Sequence, residues 1–219
     1  MKIKSGNLDL DKFLEGGYNG ISALYGLPTS GKSCLALMAV LEQLKEGKNV
    51  FFLDVKNDFN LNRLEQISGN KLNNLNHLFV LKIKNFKHQQ DKVKELILLT
   101  EKKPISLIVI DGFNFYYRTL YNSRPNLAKA MLNSQLKQLK ELSKTIPIIL
   151  TNDVFENFKT KIVQMLGNNT IEWWIDNKLR LDVEETFPNR LNLLKPKKSG
   201  YFEFNIIERG IEEVKSKRL

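Results

Sequence analysis

Gly26-Leu27-Pro28-Thr29-Ser30-Gly31-Lys32-Ser33 decides the fold of this chain. The stretch fits the spacing G-x-x-x-x-G-K-[ST] of the phosphate-binding loop of P-loop nucleotidases. Residues 20–25 before it read as a short buried strand, and residues 34–41 after it are strongly helical. In a strand, loop, helix unit of this kind, consecutive backbone N–H groups and the helix N-terminus point at phosphates. The sequence therefore predicts a nucleotide site formed by Gly26 to Cys34.

A second motif supplies the metal side of the predicted site. Residues 105–111 form an apolar run that ends in a carboxylate, Asp111, which is the Walker B pattern. Lys32 is predicted to place its charge at the β- and γ-phosphates, and the Ser33 hydroxyl to be a Mg²⁺ ligand. Asp111 is predicted to lie beside Ser33 and to hold the metal directly or through water. The expected cofactors are ATP and Mg²⁺.

The composition sets limits on the class of protein. A chain of 219 residues with 42% hydrophobic and 26% charged residues suits one sizeable α/β domain, predicted over residues 1–219. The formal net charge of +10 favours a polyanionic partner, with nucleic acid first; a lysine-rich solvated surface is the alternative. A single cysteine, no signal-peptide run and no membrane-length apolar stretch lead us to expect a cytoplasmic protein without membrane contact.

Apolar runs alternate with helical patterns along most of the chain. Strands are predicted at 50–53, 78–81, 105–111 and 146–150, and helices at 8–14, 61–67, 89–102 and 125–144. This order predicts a mostly parallel central sheet with helices on both faces. The alternating segments 178–181, 190–194 and 201–204 are predicted to be antiparallel strands added to one edge. Residues 154–169 lack periodicity and are predicted to form a long mobile loop.

Polar residues follow two of the predicted strands. Asp54, Lys56 and Asp58 come after one strand, and Asp153 closes the run after another. The carboxyl ends of parallel strands line the ligand crevice of an open sheet, so these residues are candidates for the nucleotide site.

The motifs and their order resemble the RecA-type recombinase superfamily, most closely the archaeal RadB paralogues of RadA. The run 111–118, Asp-Gly-Phe-Asn-Phe-Tyr-Tyr-Arg, resembles the family's Asp-Ser-x-x-x-x-x-Arg, and Thr151-Asn152-Asp153 resembles its Thr-Asn-Gln. Residues 5–17 and 166–181 resemble its opening and closing segments. The resemblance implies a RecA-like ATPase core. The chain begins where the ATPase core of the family begins, so we expect it to lack RadA's N-terminal DNA-binding domain and polymerisation linker.

Two of the departures from the family pattern fall on residues to which the family gives a role in hydrolysis. Asp54-Val55-Lys56-Asn57-Asp58-Phe59 aligns with Asp-Thr-Glu-Gly-x-Phe, whose Glu is taken to orient and deprotonate the attacking water. The position of that Glu is occupied here by Lys56. An ammonium cannot accept a proton. The position of the family's γ-phosphate-sensing Gln is occupied here by Asp153. Together these departures predict nucleotide binding with weak or no hydrolysis, and an enzyme that is at most a slow DNA-dependent ATPase.

The resemblance implies an ATP- and DNA-binding protein of homologous recombination and DNA repair that modulates a RadA-type recombinase. DNA would be held by two loops, with Arg118 and Arg124 in the first and Phe158, Lys159 and Lys161 in the second. The phenylalanines could equally anchor an ordinary loop. One alternative is a competent DNA-stimulated ATPase that uses Asp58 or Asp54 as base; another is a clock-type or signalling P-loop ATPase. The oligomeric state is left open.

Overall fold

A computed structural model describes residues 1–156, 163–183 and 188–214. The helices are α1 Leu8–Phe13, α2 Lys32–Lys45, α3 Leu61–Ile67, α4 Phe86–Lys102, α5 Phe115–Ser123, α6 Pro125–Leu142 and α7 Asn168–Trp174. The strands are β1 Lys2–Ile3, β2 Tyr18–Asn19, β3 Ile21–Gly26, β4 Asn49–Asp54, β5 Leu78–Lys82, β6 Ile105–Asp111, β7 Ile148–Asn152, β8 Val154–Glu156, β9 Val163–Met165, β10 Asn177–Asp182, β11 Asn189–Lys195, β12 Phe202–Ile207 and β13 Gly210–Glu213.

A large twisted sheet organises these elements, with the strand order β13-β12-β11-β10-β3-β7-β6-β4-β5. The strands from β10 to β5 pair in parallel, and β11, β12 and β13 add antiparallel strands at the C-terminal end. The predicted fold class is therefore confirmed. One detail is wrong, because β10 pairs in parallel with β3 and so extends the parallel part of the sheet.

Two hydrophobic clusters cover the two faces of the sheet. One contains the buried residues of α2 together with Leu24 of β3, and the other contains those of α4, α6 and α7 together with Ile110 of β6. All of the side chains in β3 and β6 are buried, as expected for parallel strands that are covered on both sides. In the part of the chain that the structure describes, no helix combines the length and apolar character needed to cross a bilayer.

Several predicted boundaries change. Helix α4 begins at Phe86 because the Asn85 side chain accepts the N–H of His88 and caps it. The region predicted as the first DNA loop is helical, since α5 reaches Ser123 and only Arg124 separates it from α6. The predicted mobile loop 154–169 contains the antiparallel pair β8 and β9 and the start of α7. The prolyl start of α6 is as predicted.

The central position of β3 makes its stability contribution testable. Leu24 is fully buried, so Leu24→Ala is expected to lower the free energy of unfolding by about 2–5 kcal/mol. Leu8 is 73% exposed at the start of α1, and Leu8→Ala is expected to change it by less than about 0.5 kcal/mol. Reversible urea denaturation measures both. Similar losses for the two variants would contradict the placement of the core.

Candidate nucleotide site and its flanking surface

The register of the parallel sheet brings the predicted site residues together. Asp54 at the end of β4 pairs with Asp111 at the end of β6, and Tyr25 at the end of β3 pairs with Asn152 at the end of β7. The ends of these strands therefore lie at one edge of the sheet, where the phosphate loop begins. This is the crevice expected to bind ligands in an open parallel sheet.

Lys32 lies at the centre of the phosphate loop. Its Nζ donates to the carbonyl oxygens of Gly26 at 2.9 Å and Leu27 at 2.7 Å, and its side chain is largely buried. Burial lowers the pKa of Lys32 to about 8; the Asp153 charge raises it and the Lys56 charge lowers it further. A phosphate at this position would supply the negative charge that favours the protonated amine.

The back of the phosphate loop rests on β10. A Cβ atom at Gly26 would lie 2.3 Å from the carbonyl oxygen of Leu181, so only glycine fits between the two strands. Cys34 lies in the first turn of α2 with its thiol buried near the Arg63 guanidinium, at 3.5 Å. Burial raises the pKa of the Cys34 thiol, and Arg63 opposes that rise. Its side chain therefore packs against α3, and only its backbone is left to contact a phosphate.

Ser33 and Asp111, the residues predicted to hold the metal, lie next to each other. The Ser33 hydroxyl donates to Oδ1 of Asp111 at 3.1 Å, and the Thr151 hydroxyl donates to the same oxygen. Burial raises the pKa of the Asp111 carboxyl, and the hydrogen bonds from Thr151 and Ser33 oppose that rise. A hydroxyl and a buried carboxylate at hydrogen-bonding distance form a donor set of the hard oxygen type that Mg²⁺ prefers.

The two departures from the family pattern contact each other. Nζ of Lys56 lies 2.7 Å from Oδ1 of Asp153, and both side chains are about one third exposed or less. The aliphatic part of Lys56 crosses Gly112, where a Cβ atom would lie 2.8 Å from its Cγ. Gly112 also has a φ of +83°, which disfavours other residues. The family pattern has Ser at this position, so a third difference makes room for the lysine.

The Asn114 side chain bonds to Asp153 and to Leu166, the residues on either side of the β8–β9 hairpin. Oδ1 of Asn114 accepts the N–H of Asp153 at 2.8 Å, and its Nδ2 donates to the carbonyl oxygens of Asp153 at 2.8 Å and Leu166 at 3.1 Å. Asp153 and Leu166 flank the β8–β9 hairpin. The buried Asn114 side chain therefore ties both ends of this hairpin to the start of α5.

The two alternative bases differ in their surroundings. Oδ1 of Asp54 accepts the N–H of Asp58 at 3.1 Å, and Oδ2 accepts the N–H of Phe59 at 3.2 Å. Asp54 is buried and uses both oxygens to shape the turn after β4. The Asp58 side chain is exposed, so Asp58 is the alternative base with the freer carboxylate.

The predicted DNA-binding residues fall into two groups. Arg118 on α5 and Arg124 at the junction of α5 and α6 are exposed on the same helical pair. Phe158, Lys159 and Lys161 lie outside the described residues. Sequence reasoning missed Asn114, Thr151 and Gly112. Thr151 and Asn114 stand in family motifs that were quoted, whereas the role of Gly112 is visible only once the path of the Lys56 side chain is known.

A phosphate loop between β3 and α2, faced by a carboxylate at the end of β6 two strands away, defines a P-loop nucleotidase core of the RecA type. The family model described as Rad51 matches residues 1–171, and the chain therefore belongs to the Rad51 family.

The chain is also similar to curated archaeal proteins named "DNA repair and recombination protein RadB". It is 27% identical over 223 residues to that of Methanobrevibacter smithii, covering 94% of this chain and 93% of the relative. It is 27% identical over 219 residues to that of Methanosphaera stadtmanae, covering 94% and 93%. It is 29% identical over 224 residues to that of Thermococcus onnurineus, covering 97% of each. The resemblance to RadB seen in the motifs is thus confirmed.

Proposed function

We propose that this protein binds Mg·ATP and DNA in homologous recombination and DNA repair, and that it hydrolyses ATP slowly or not at all. The single observation that carries the proposal is the Lys56–Asp153 ion pair beside an intact phosphate loop and metal pair. The names of the RadB relatives support the role in recombination and repair. We further propose, from the resemblance of the motifs to RadB, that the protein modulates a RadA-type recombinase in the cytoplasm.

The residues present fit Mg·ATP. The loop amides and Lys32 would hold the phosphates, and Ser33 and Asp111 would hold the metal. Bound Mg²⁺ neutralises phosphate charge and polarises the phosphoryl oxygens. Asp111 accepts hydrogen bonds from Thr151 and Ser33 on the same oxygen, which fixes its carboxylate and would leave the other oxygen available to a metal.

The chain lacks a base where the family pattern has one. The Lys56 ammonium has no lone pair to accept a proton from water, and it is engaged by the Asp153 carboxylate. Asp153 in turn offers no amide donor. ATP would therefore act chiefly as a ligand that sets the state of the protein. The competing hypothesis assigns the base to Asp58, the exposed carboxylate two residues after Lys56.

The basic flanking surface supports DNA as the second ligand. The net charge is +10, and Arg118 and Arg124 are exposed on the α5–α6 helical pair. Phosphate contacts from arginine and lysine provide affinity that depends on salt. A signalling ATPase of the same superfamily would lack this dependence.

The lowered pKa of Lys32 predicts proton uptake when ATP binds. At pH 8 about half of the Lys32 side chains are neutral, and a bound phosphate raises the pKa and returns the proton. Calorimetric titration in buffers of different ionisation enthalpy should show proton uptake near pH 8 that disappears near pH 6, where Lys32 is already charged.

The Lys32→Ala variant should bind ATP far more weakly than the wild type, and the same titration measures its affinity. Equal ATP affinity of variant and wild type would contradict the site.

The ion pair predicts how hydrolysis responds to restoring the family residues. Lys56→Glu alone places a carboxylate beside Asp153, and like charges oppose a productive geometry. The double variant Lys56→Glu with Asp153→Gln removes that repulsion, and we expect it to raise single-turnover hydrolysis toward the 10²–10⁴-fold that a general base typically contributes. Asp58→Asn is the matched control and should leave the slow wild-type rate unchanged. Robust wild-type turnover that is lost in Asp58→Asn would overturn the proposal.

DNA binding should depend on Arg124 and Lys159 and not on the exposed Lys137 and Lys144. Combined Arg124→Ala and Lys159→Ala should weaken binding to single strands or duplex and lower the salt slope by about two, one for each lost phosphate contact. Lys137→Ala with Lys144→Ala removes the same charge from two exposed positions, one in α6 and one just after it, and serves as the control. Fluorescence anisotropy at several salt concentrations measures both. Unchanged affinity and slope in the first variant would contradict the assignment.

A further inference from the structure

A cavity lies at the opposite edge of the sheet from the nucleotide site. It has a volume of about 290 Å³ and is bordered by the β1–β2 pair, the end of α1, the first halves of β3 and β10, and the segment after β11. This basal cavity is near the lower limit of the volumes that hold small organic ligands. It therefore suits a small ion better than a whole nucleotide.

The basal cavity and the phosphate loop lie at the two ends of the same pair of strands. Ser22 near the start of β3 pairs with Asn177 at the start of β10, and Gly26 at the other end of β3 pairs with Leu181. Four residues of parallel strand span about 13 Å, so a small ligand cannot occupy both places. A ligand in the basal cavity would therefore be a second one, bound apart from the nucleotide.

Positive charge is in excess at the basal cavity. Its lining contains one carboxylate, that of Glu15, and three lysines, Lys2, Lys197 and Lys198. Nζ of Lys2 donates to the carbonyl oxygen of Glu15 at 2.6 Å, and Nζ of Lys198 donates to the carbonyl oxygen of Phe13 at 2.7 Å and to Oε1 of Glu15 at 3.2 Å. An ammonium has three N–H groups, so both lysines keep at least one for a ligand. Three ammonium groups against one carboxylate leave an excess of two positive charges, which favours a dianion.

One wall of the cavity is rich in hydrogen-bond acceptors. This acceptor wall consists of Asn19, Asn177 and Ser22, and Ser22 is fully buried. Nδ2 of Asn177 lies 2.8 Å from the carbonyl oxygen of Asn19, 2.6 Å from its Oδ1 and 3.1 Å from Oγ of Ser22. The amide has two hydrogens for these three oxygens, and the Ser22 hydroxyl gives its own hydrogen to the carbonyl oxygen of Asn19 at 3.2 Å. Because each oxygen can accept more than one bond, a ligand that donates a hydrogen bond would find an acceptor here.

A dianion that also donates a hydrogen bond distinguishes between two oxyanions of similar size. Hydrogen phosphate carries two charges and one O–H group, whereas sulfate carries two charges and no hydrogen. We propose that the basal cavity binds hydrogen phosphate, with the lysine ammonium groups holding its charged oxygens and the acceptor wall receiving its O–H. The inference goes beyond the proposed function and does not depend on it, because the described residues that line the cavity all lie outside the nucleotide site.

Equilibrium dialysis of the full chain against radiolabelled inorganic phosphate, at pH 8 and constant ionic strength, tests the site. The phosphate loop can also bind phosphate, so the Lys32→Ala protein is the parent for these measurements, and we expect it to keep one phosphate per chain. Sulfate and methyl phosphate are dianions without an O–H group at this pH. They should bind at least about 10-fold more weakly, because a hydrogen bond with a charged partner typically contributes that factor or more.

Two changes separate the acceptor wall from the charge. Ser22→Ala adds no bulk and keeps every lysine, so it should weaken phosphate binding about 10-fold and leave sulfate binding as it is. Lys197→Met with Lys198→Met should weaken the binding of both anions. Lys137→Met with Lys144→Met removes the same charge from exposed positions outside the cavity, and this control should change neither. Urea denaturation of each variant checks that it is folded.

Three results would overturn the inference. A Lys32→Ala protein that binds no phosphate would place all phosphate binding in the phosphate loop. Equal affinity for phosphate and sulfate would mean that charge alone attracts the ion and that the acceptor wall takes no part. Displacement of phosphate by dimethyl phosphate, a diester with a single charge, as readily as by unlabelled phosphate would indicate a contact for a nucleic-acid backbone instead of a site for the free ion.

Discussion

The arrangement of the site depends on the parallel hydrogen-bond ladder that joins β3, β7, β6 and β4. Because the register of these strands is fixed, their carboxyl ends lie in one row. The side chains at these ends are therefore close to one another. Asp111 is at the centre of this row, where hydroxyls from two other elements reach it. A shift of one residue in β6 would turn this carboxylate to the opposite face of the sheet.

The departures from the family pattern are best understood as one unit. Lys56, Asp153 and Gly112 come from three separate segments, yet the lysine pairs with the aspartate and its chain occupies the space that a side chain at 112 would need. Without Asp153 the Lys56 charge would lose its partner, and a side chain at 112 would clash with the Lys56 chain. Together they give a satisfied arrangement that has exchanged a proton acceptor and an amide for an ion pair. The exchange leaves Lys32, Ser33 and Asp111 in place and is confined to the two positions where the family pattern has a proton acceptor and an amide.

The sequence predicted those parts of the structure that depend on local pattern. The phosphate loop, the buried strands and the carboxylate at the end of β6 follow from spacing and hydrophobicity, and the structure bears them out. Pairing partners could not be predicted in this way, because alternation in β10 is the same whether its neighbour runs parallel or antiparallel. Helix α5 was missed because its aromatic-rich sequence has no clear helical start, and Asn114, which precedes it, bonds to the hairpin ends. The Lys56–Asp153 contact joins residues 97 positions apart, which no local pattern can reveal.

The contact between Gly26 and β10 has a consequence for how the protein is made. The phosphate loop begins at Gly26, but the strand that supports its back is completed only at Asp182. During synthesis the whole segment between them must leave the ribosome before that strand can pair, and pairings across such long loops are slow because of the entropy of loop closure. The nascent chain therefore carries an early phosphate loop without its supporting strand, and the backbone of the loop reaches its final packing only after β10 has been made.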